Sequence, residues 1–258
     1  MRPILAVFLL LTLAACSSPK LEADNKTKLA SADDMYSDAK TALNDKNYES
    51  AIKKFESLQS RYPYGRFAQQ GQLEIAYAYY KQGEPESSIA AANRFIKQYP
   101  NSPNVDYAYY LKGLADFHGE SGLFGLQGDP TERDPRAAQN SFSAFRDLVA
   151  RFPESKYAPD AKFRMQYLIN ALAKYEIHVA SYYQRRGAYI AAVKRAKEVL
   201  TLYPNSTSTR DALQILIKGY ASMGLDKLSD DTRRILDKNF PEKPVKQANT
   251  ILEQLSTD

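Results

Sequence analysis

The sequence predicts an all-α fold, a superhelical stack of five helix pairs, and three observations support this prediction. An aromatic residue followed by proline recurs along the chain, each time at the end of an amphipathic stretch. Within these stretches the apolar residues follow a helical period, and no alternation of apolar and polar residues indicates a strand. The aromatic–proline pairs are Tyr62-Pro63, Tyr99-Pro100, Phe152-Pro153, Tyr203-Pro204 and Phe240-Pro241.

The spacing of these pairs indicates the kind of repeat. Successive prolines of the pairs are 37, 53, 51 and 37 residues apart. A period in the middle thirties, with two helices per unit and a proline at its end, is typical of tetratricopeptide repeats, whose unit is about 34 residues. The two longer intervals then contain insertions, one in the third repeat and one in the fourth.

In tetratricopeptide repeats we expect a small residue twelve positions before each proline and bulky apolar residues eight and five positions before it. Small residues there allow paired helices to approach closely. The fifth repeat departs from the pattern at Arg233, which is typical of a capping repeat with a polar outer face. The triplets are Ala51, Phe55, Leu58; Ser88, Ala92, Phe95; Ser141, Phe145, Leu148; Ala192, Ala196, Val199; and Ser229, Arg233, Leu236.

Each half of a repeat is predicted to be one helix. The insertion 118–135 contains four glycines and two prolines, so we expect a loop there, whose Phe124 and Leu126 either dock on the scaffold or contact a partner. The other insertion lengthens a helix to about 28 residues, which corresponds to about 42 Å. A helix of this length can join two sub-stacks rigidly. The expected helices span 33–44, 48–61, 66–82, 85–98, 104–118, 135–151, 156–185, 188–202, 208–223, 226–239 and 243–256.

The N-terminus predicts a lipoprotein leader. A positive start at Met1 and Arg2 precedes an apolar run from residue 4 to 13 that is too short to cross a bilayer, which is typical of a secretory signal. Leu13-Ala14-Ala15-Cys16 follows the bacterial lipoprotein box, so we expect removal of residues 1–15 and lipidation of Cys16. The alternative is an ordinary signal peptide with an incidental cysteine.

The domain organisation follows from these assignments. Residues 16–32 carry no apolar period and are predicted to be a lipidated flexible tether. We expect repeats 1–3 over 33–153, and repeats 4–5 with a tail over 154–258.

Composition excludes several classes of protein. With 44% hydrophobic and 25% charged residues the chain is not a disordered polymer. Its 35 Lys and Arg against 30 Asp and Glu form a mixed surface, so nucleic acid is not an expected partner. One Cys and two His offer little material for a transition-metal site. The common phosphate-binding, hydrolase and metalloprotease motifs are absent, so we expect no enzyme and no cofactor.

His178 lies mid-helix and is interpreted as a satisfied structural residue, and His118 is interpreted as a helix cap.

The 19 tyrosines are the unusual number in the composition. Tyr77-Ala78-Tyr79-Tyr80 recurs as Tyr107-Ala108-Tyr109-Tyr110, each on the first helix of a repeat. Three tyrosines within four helical positions cannot all face one core, so we expect at least one per unit near the groove. The alternative is that tyrosine replaces the absent tryptophan in packing.

A basic segment forms a second candidate surface. Arg185, Arg186, Lys194, Arg195 and Lys197 stand against Glu198. Since Lys194 and Glu198 have i,i+4 spacing, we expect them to pair and to leave the arginines comparatively free. This segment is either a solvated helix face or a docking site for an acidic partner domain.

Together these motifs resemble one family over essentially the whole chain. With its lipoprotein box and five repeats, the sequence is similar to the BamD family, the ComL-type lipoproteins of outer-membrane protein assembly. The motifs that carry the resemblance are Arg61-Tyr62-Pro63-Tyr64-Gly65, Tyr77-Ala78-Tyr79-Tyr80-Lys81, Asn104-Val105-Asp106-Tyr107, Arg133-Asp134-Pro135, Ala173-Lys174-Tyr175-Glu176 and Arg186-Gly187-Ala188-Tyr189.

The resemblance implies a non-enzymatic subunit of the β-barrel assembly machinery on the periplasmic face of the outer membrane. The N-terminal repeats would receive the signal segments of unfolded barrel precursors, with Tyr62, Gly65, Tyr77 and Tyr80 as groove residues. The C-terminal repeats would hold the POTRA region of a BamA-like β-barrel subunit through Arg185, Arg186 and Arg195. BamC-like and BamE-like lipoproteins are the other implied partners. The alternatives are a repeat adaptor linking the outer membrane to peptidoglycan or cell division, and a tethered hydrolase.

Overall fold

The computed structural model describes residues 30–121 and 135–241, and every regular element in these two ranges is an α-helix. In chain order the helices are α1 (Ala32–Asn44), α2 (Tyr48–Arg61), α3 (Arg66–Gln82), α4 (Pro85–Gln98), α5 (Val105–Ser121), α6 (Arg136–Arg151), α7 (Ala158–Arg185), α8 (Tyr189–Leu202), α9 (Thr209–Ser222) and α10 (Asp226–Asn239).

The helix bounds agree closely with those predicted from the sequence. The largest difference is at α5, which continues to Ser121 instead of ending at residue 118. The leader, most of the tether, most of the loop insertion with Phe124 and Leu126, and the expected helix 243–256 lie outside the described residues.

The helices form two layers, because each packs against the next along the chain. The first helices of neighbouring pairs also touch, α1 with α3, α3 with α5, and α7 with α9. Tyr110 on α5 stacks on the ring of Tyr157, the residue just before α7, with centroids 4.7 Å apart, and its hydroxyl donates to Asp160 on α7 at 2.6 Å. The predicted all-α stack of helix pairs is confirmed.

The core lies between the layers at the positions that the repeat pattern predicts. In each of the first four repeats all three pattern residues are buried, whereas Arg233 in the fifth is exposed. Where the small residue is serine, its hydroxyl donates to a carbonyl oxygen of the preceding helix. These bonds are Ser88 to Ala76 at 2.9 Å, Ser141 to Gly113 at 2.8 Å, and Ser229 to Ile217 at 3.1 Å. The serine therefore permits close approach of the paired helices and also fixes their register.

The long helix α7 connects the two ends of the stack. It has 28 residues, as expected, and rises about 42 Å. Leu168 in its first half packs in a cluster with α6, and Ala180 in its second half packs with α8 and α9. A single rigid element thus belongs to both halves of the core.

Candidate functional site

A cleft of about 530 Å³ opens between the first helices of the first three repeats. It is lined by side chains of α1, the turn after it, the first residue of α2, α3 and α5. The lining residues are Lys40, Leu43, Asn44, Lys46, Tyr48, Glu74, Tyr77, Lys81 and Tyr107. Its lining combines aromatic rings with charged groups.

Glu74 on α3 organises one wall of this cleft. Its carboxylate is only 13% exposed and its Oε1 accepts from Lys40 Nζ at 2.9 Å, Tyr36 Oη at 3.2 Å and Gln70 Nε2 at 3.2 Å. Burial, with the charge of Glu74 next to it, raises the pKa of Tyr36 far above its ordinary value, so this hydroxyl stays protonated and donates. The Lys40–Glu74 pair is therefore a neutral unit of the wall.

Of the two predicted groove tyrosines of α3, Tyr77 lines this cleft, whereas Tyr80 is not one of its lining residues. Tyr77 and Tyr107 are half-buried and line it, and the Tyr77 and Tyr80 rings are 6.4 Å apart. Burial raises the pKa of Tyr107 well above its ordinary range, so its hydroxyl is a neutral hydrogen-bonding group at physiological pH. The duplicated motif thus places one tyrosine of each copy in the cleft, while Tyr110 packs against Tyr157 instead.

The other two predicted groove residues, Tyr62 and Gly65, lie at the opposite end of α3. Twelve residues separate Gly65 from Tyr77, a rise of about 18 Å along the helix. The Tyr62 hydroxyl donates to the Ala30 carbonyl oxygen at 3.0 Å, where the chain enters the first repeat. Gly65 has φ 98° and ψ 178°, a conformation essentially reserved for glycine. The structure therefore divides the predicted groove set between two places.

Lys46 is a cleft residue that the sequence reasoning missed. It lies in the turn after α1 and has φ 61°, the one positive φ of a non-glycine residue in the described ranges. The signal was present in the sequence, because the corresponding turns of later repeats carry glycine.

A second cavity, of about 640 Å³, lies at the turn between α7 and α8. Ile190 in its wall is 78% exposed, and the predicted partner residues Arg185 and Arg186 are exposed at the adjoining end of α7. The Arg186 guanidinium lies 5.5 Å from the centroid of the Tyr182 ring. The cavity is lined by Gly187, Ala188, Tyr189, Ile190, Ala191, Lys194 and Met223. This end of the stack presents an apolar hollow beside two arginines.

Arg195 does not belong to this exposed group, and the expectation that it is free is wrong. Its Nη1 donates to Glu176 Oε2 on α7 at 3.0 Å and to Glu198 Oε2 at 3.5 Å. Arg195, and not Lys194, therefore pairs with Glu198. The positive charge of the guanidinium neutralises the Glu176 carboxylate, which is only 13% exposed. Burial raises the pKa of Glu176.

The two histidines of the chain lie on α5 and α7. His178 is exposed on α7. The expectation that His118 caps a helix end is wrong, because α5 continues past it to Ser121. In the ranges that the structure describes, no three His, Cys, Asp or Glu side chains come together in a way that would hold a metal ion. Within the same ranges, no helix has both the length and the apolar character that a membrane crossing requires.

Comparison with known proteins identifies the family. A family model described as an outer membrane lipoprotein, YfiO, matches residues 29–235. The chain belongs to this family. Its relatives include proteins named outer membrane protein assembly factor BamD, which confirms the resemblance seen in the sequence. The match extends over both the cleft and the cavity.

Two of these relatives show how far the similarity reaches. The protein of Neisseria meningitidis serogroup A is 42% identical over 245 residues, covering 93% of this chain and 92% of that one. The Xylella fastidiosa (strain 9a5c) protein is 35% identical, covering 93% and 82%. Among solved structures, a MamA crystal structure matches at 15% identity with a TM-score of only 0.37, covering 78% of this chain and 92% of that one.

Proposed function

We propose that the chain is a non-enzymatic lipoprotein subunit of the β-barrel assembly machinery, required for folding and insertion of outer-membrane β-barrel proteins. Cys16 anchors it to the outer membrane, facing the periplasm. The N-terminal repeats 33–153 receive signal segments of unfolded precursors, and the C-terminal repeats 154–258 hold the POTRA region of a BamA-like subunit. BamC-like and BamE-like lipoproteins complete its partners. Relatives named as outer membrane protein assembly factors support this function.

The observation that carries the proposal is the cleft between α1, α3 and α5. Precursor signals end in alternating aromatic and apolar residues, and the cleft offers the rings of Tyr48, Tyr77 and Tyr107 to such side chains. Aromatic rings with a polar tip bind peptides at little cost in conformational entropy. Tyr62 and Gly65, at the far end of α3, extend the receiving surface toward the start of the repeats.

Photo-crosslinking tests the cleft. A photoreactive residue at position 77 is expected to crosslink a peptide carrying a barrel-signal sequence, and Tyr107→Ala is expected to weaken that crosslink. Position 163 on α7 is the matched control, because Phe163 is an aromatic residue with 76% exposure far along the chain from the cleft. Equal crosslinking from positions 77 and 163 would refute binding at the cleft.

The C-terminal docking surface is supported by the hollow beside Arg185 and Arg186. An exposed isoleucine next to two arginines is suited to a partner that presents an apolar side chain surrounded by acidic residues. Ile190→Asp, and separately Arg185→Glu with Arg186→Glu, should reduce recovery of the BamA-like subunit on affinity purification from membranes. Arg210→Glu, an exposed charge reversal on α9, is the control. Undiminished recovery in both test variants would contradict this surface.

A further inference from the structure

The turn between α2 and α3 holds the point at which the chain enters the first repeat. The Tyr62 hydroxyl donates to the Ala30 carbonyl oxygen at 3.0 Å, two residues before α1 begins. The Tyr62 ring packs against the core cluster of the N-terminal repeats, and its N–H donates to the Leu58 carbonyl oxygen at 2.8 Å. The entering chain is therefore fixed beside this turn by a residue that the core itself holds in place.

The outer side of the same turn presents an aromatic ring between two arginines. Tyr64 is 89% exposed, more than any other large apolar side chain in the part of the chain that the structure describes. Arg61 and Arg66 are exposed as well, and neither forms an ion pair with a carboxylate of the described residues. The first turn of α1 carries Asp33 and Asp34, of which Asp34 is engaged in capping that helix. A tyrosine flanked by arginines is suited to the boundary between water and anionic lipid headgroups.

The length of chain between this turn and the expected lipid anchor limits how far the turn can lie from a bilayer. Cys16 and Ala30 are 14 residues apart, and such a chain extends at most about 50 Å. A flexible tether, as the sequence predicts, has a typical end-to-end distance of about 20 Å at this length. Anchorage at Cys16 therefore gives Tyr64 a high local concentration at the lipid surface, where even weak headgroup contacts are populated.

We propose that Arg61, Tyr64 and Arg66 contact the anionic phospholipid headgroups of the membrane that holds the Cys16 anchor. The inference rests on the proposed function, because it requires that Cys16 is lipidated, and it adds that the first repeat lies against the bilayer. The guanidinium groups pair with lipid phosphates, and the tyrosine ring lies at the level of the headgroups. The first repeat then has a fixed orientation relative to the membrane instead of swinging freely on its tether.

A tryptophan at position 64 tests this contact, because the chain contains no tryptophan of its own. The full-length lipoprotein with Tyr64→Trp is reconstituted into vesicles of phosphatidylethanolamine and phosphatidylglycerol, part of whose lipid is brominated near the headgroup as a quencher. We expect quenching and a blue shift of the tryptophan fluorescence. Phe163→Trp is the matched control and should stay unquenched, because Phe163 is also an exposed aromatic residue between two basic residues but lies on α7.

The contribution of charge is tested by adding Arg61→Gln to Tyr64→Trp. We expect the population of the membrane contact to fall about fivefold, since one basic residue at an anionic lipid surface contributes about this much. Arg66 is left in place, because its guanidinium packs over the Phe67 ring at 4.6 Å from the centroid. Vesicles of phosphatidylcholine alone should reduce the quenching further, and undiminished quenching in them would overturn the role of anionic lipid.

The other outcomes separate the inference from the proposed function. Equal quenching at positions 64 and 163 would overturn a specific contact of this turn. Absence of quenching in protein that still floats with the vesicles would overturn the inference while the lipid anchor remains. Failure of the protein to float with the vesicles would refute the anchor, and the inference with it. A fluorescence change at position 64 on addition of a barrel-signal peptide, without quenching by brominated lipid, would assign the turn to precursor binding instead.

Discussion

Gly113 on α5 lies directly against the ring of Phe145 on α6, so closely that a Cβ atom at Gly113 would be 2.4 Å from the ring. The carbonyl of Gly113 accepts the Ser141 hydroxyl at 2.8 Å in the same contact. Phe145 is completely buried, so its ring has no open space into which to withdraw. The absence of a side chain at Gly113 therefore sets the separation of the third helix pair.

Replacing Gly113 by alanine is expected to destabilise the protein by about 1–3 kcal/mol, because the added methyl group overpacks this contact. Urea denaturation followed by circular dichroism measures the loss. Gly71→Ala is the matched control, since its Cβ would lie 3.2 Å from the Phe55 ring and needs a much smaller adjustment. The double variant Gly113→Ala with Phe145→Leu should recover part of the loss. Equal destabilisation at Gly71 and Gly113 would contradict the explanation.

Lys46→Gly should stabilise the fold by up to about 1 kcal/mol, because it relieves the strain of a left-handed side chain at some cost in unfolded-state entropy. The thermal midpoint is expected to rise by a few degrees. The reverse change, Gly83→Lys, should lower stability by about 1–2 kcal/mol, since Gly83 has the same turn geometry with φ 77°. A lower midpoint for Lys46→Gly would show that the lysine itself supports the fold.

Arg195→Glu is expected to lower the free energy of unfolding by about 2 kcal/mol, because it brings a third carboxylate to Glu176 and Glu198. Chemical denaturation of the purified protein measures this without any partner. Arg185→Glu, an exposed change at the end of the same long helix, should alter stability by less than about 0.5 kcal/mol. The exchanged pair Glu176→Arg with Arg195→Glu should restore part of the loss. Wild-type stability of Arg195→Glu would instead leave this arginine available to a partner.

Stability should depend on acid through Asp160. Burial alone would raise the pKa of Asp160, but hydrogen bonds from Arg164 Nε and Tyr110 Oη, both at 2.6 Å, more than offset it and hold the pKa below its ordinary value. Since the folded-state pKa is the lower one, this stabilisation is complete above the unfolded pKa of about 3.9 and is lost as the pH falls through the folded pKa.

Asp160→Asn is accordingly expected to be about 1 kcal/mol less stable than the wild type at pH 7, with the difference shrinking as the pH is lowered to 3. Urea unfolding at several pH values gives both curves. Asp230→Asn, an exposed change on α10, serves as the control. A difference that stays constant across this range would mean that the charge of Asp160 contributes nothing.

Proline and glycine at the helix ends explain why the helix bounds were predictable from the sequence. These two residues mark most helix ends. The structure departs from expectation at the end of α5, which continues through Gly119 to Ser121 although a loop was predicted from residue 118. A single internal glycine costs a helix only about 1 kcal/mol, which packing against α6 readily offsets.

The site was less predictable, because its contacts join residues that are distant in sequence. Counting i,i+4 neighbours assigned Glu198 to Lys194, whereas Arg195 binds Glu198 together with Glu176, nineteen residues away on α7. Family motifs grouped Tyr62 with Tyr77, although the length of α3 separates them. Lys46 was identifiable only by aligning the turns of the repeats, which the aromatic–proline period did not require.

The length of α7 has a mechanical consequence. After Pro159 it contains neither glycine nor proline, and it is packed at one end beneath the cleft-bearing repeats and at the other beside the Ile190 hollow. When such a rigid helix rotates about one end, its other end is displaced in proportion to its length. A rotation of about 5° at one end of this helix, which is about 42 Å long, displaces the other end by about 4 Å. A rotation applied at one end of α7 would therefore displace the other end without any rearrangement inside the repeats.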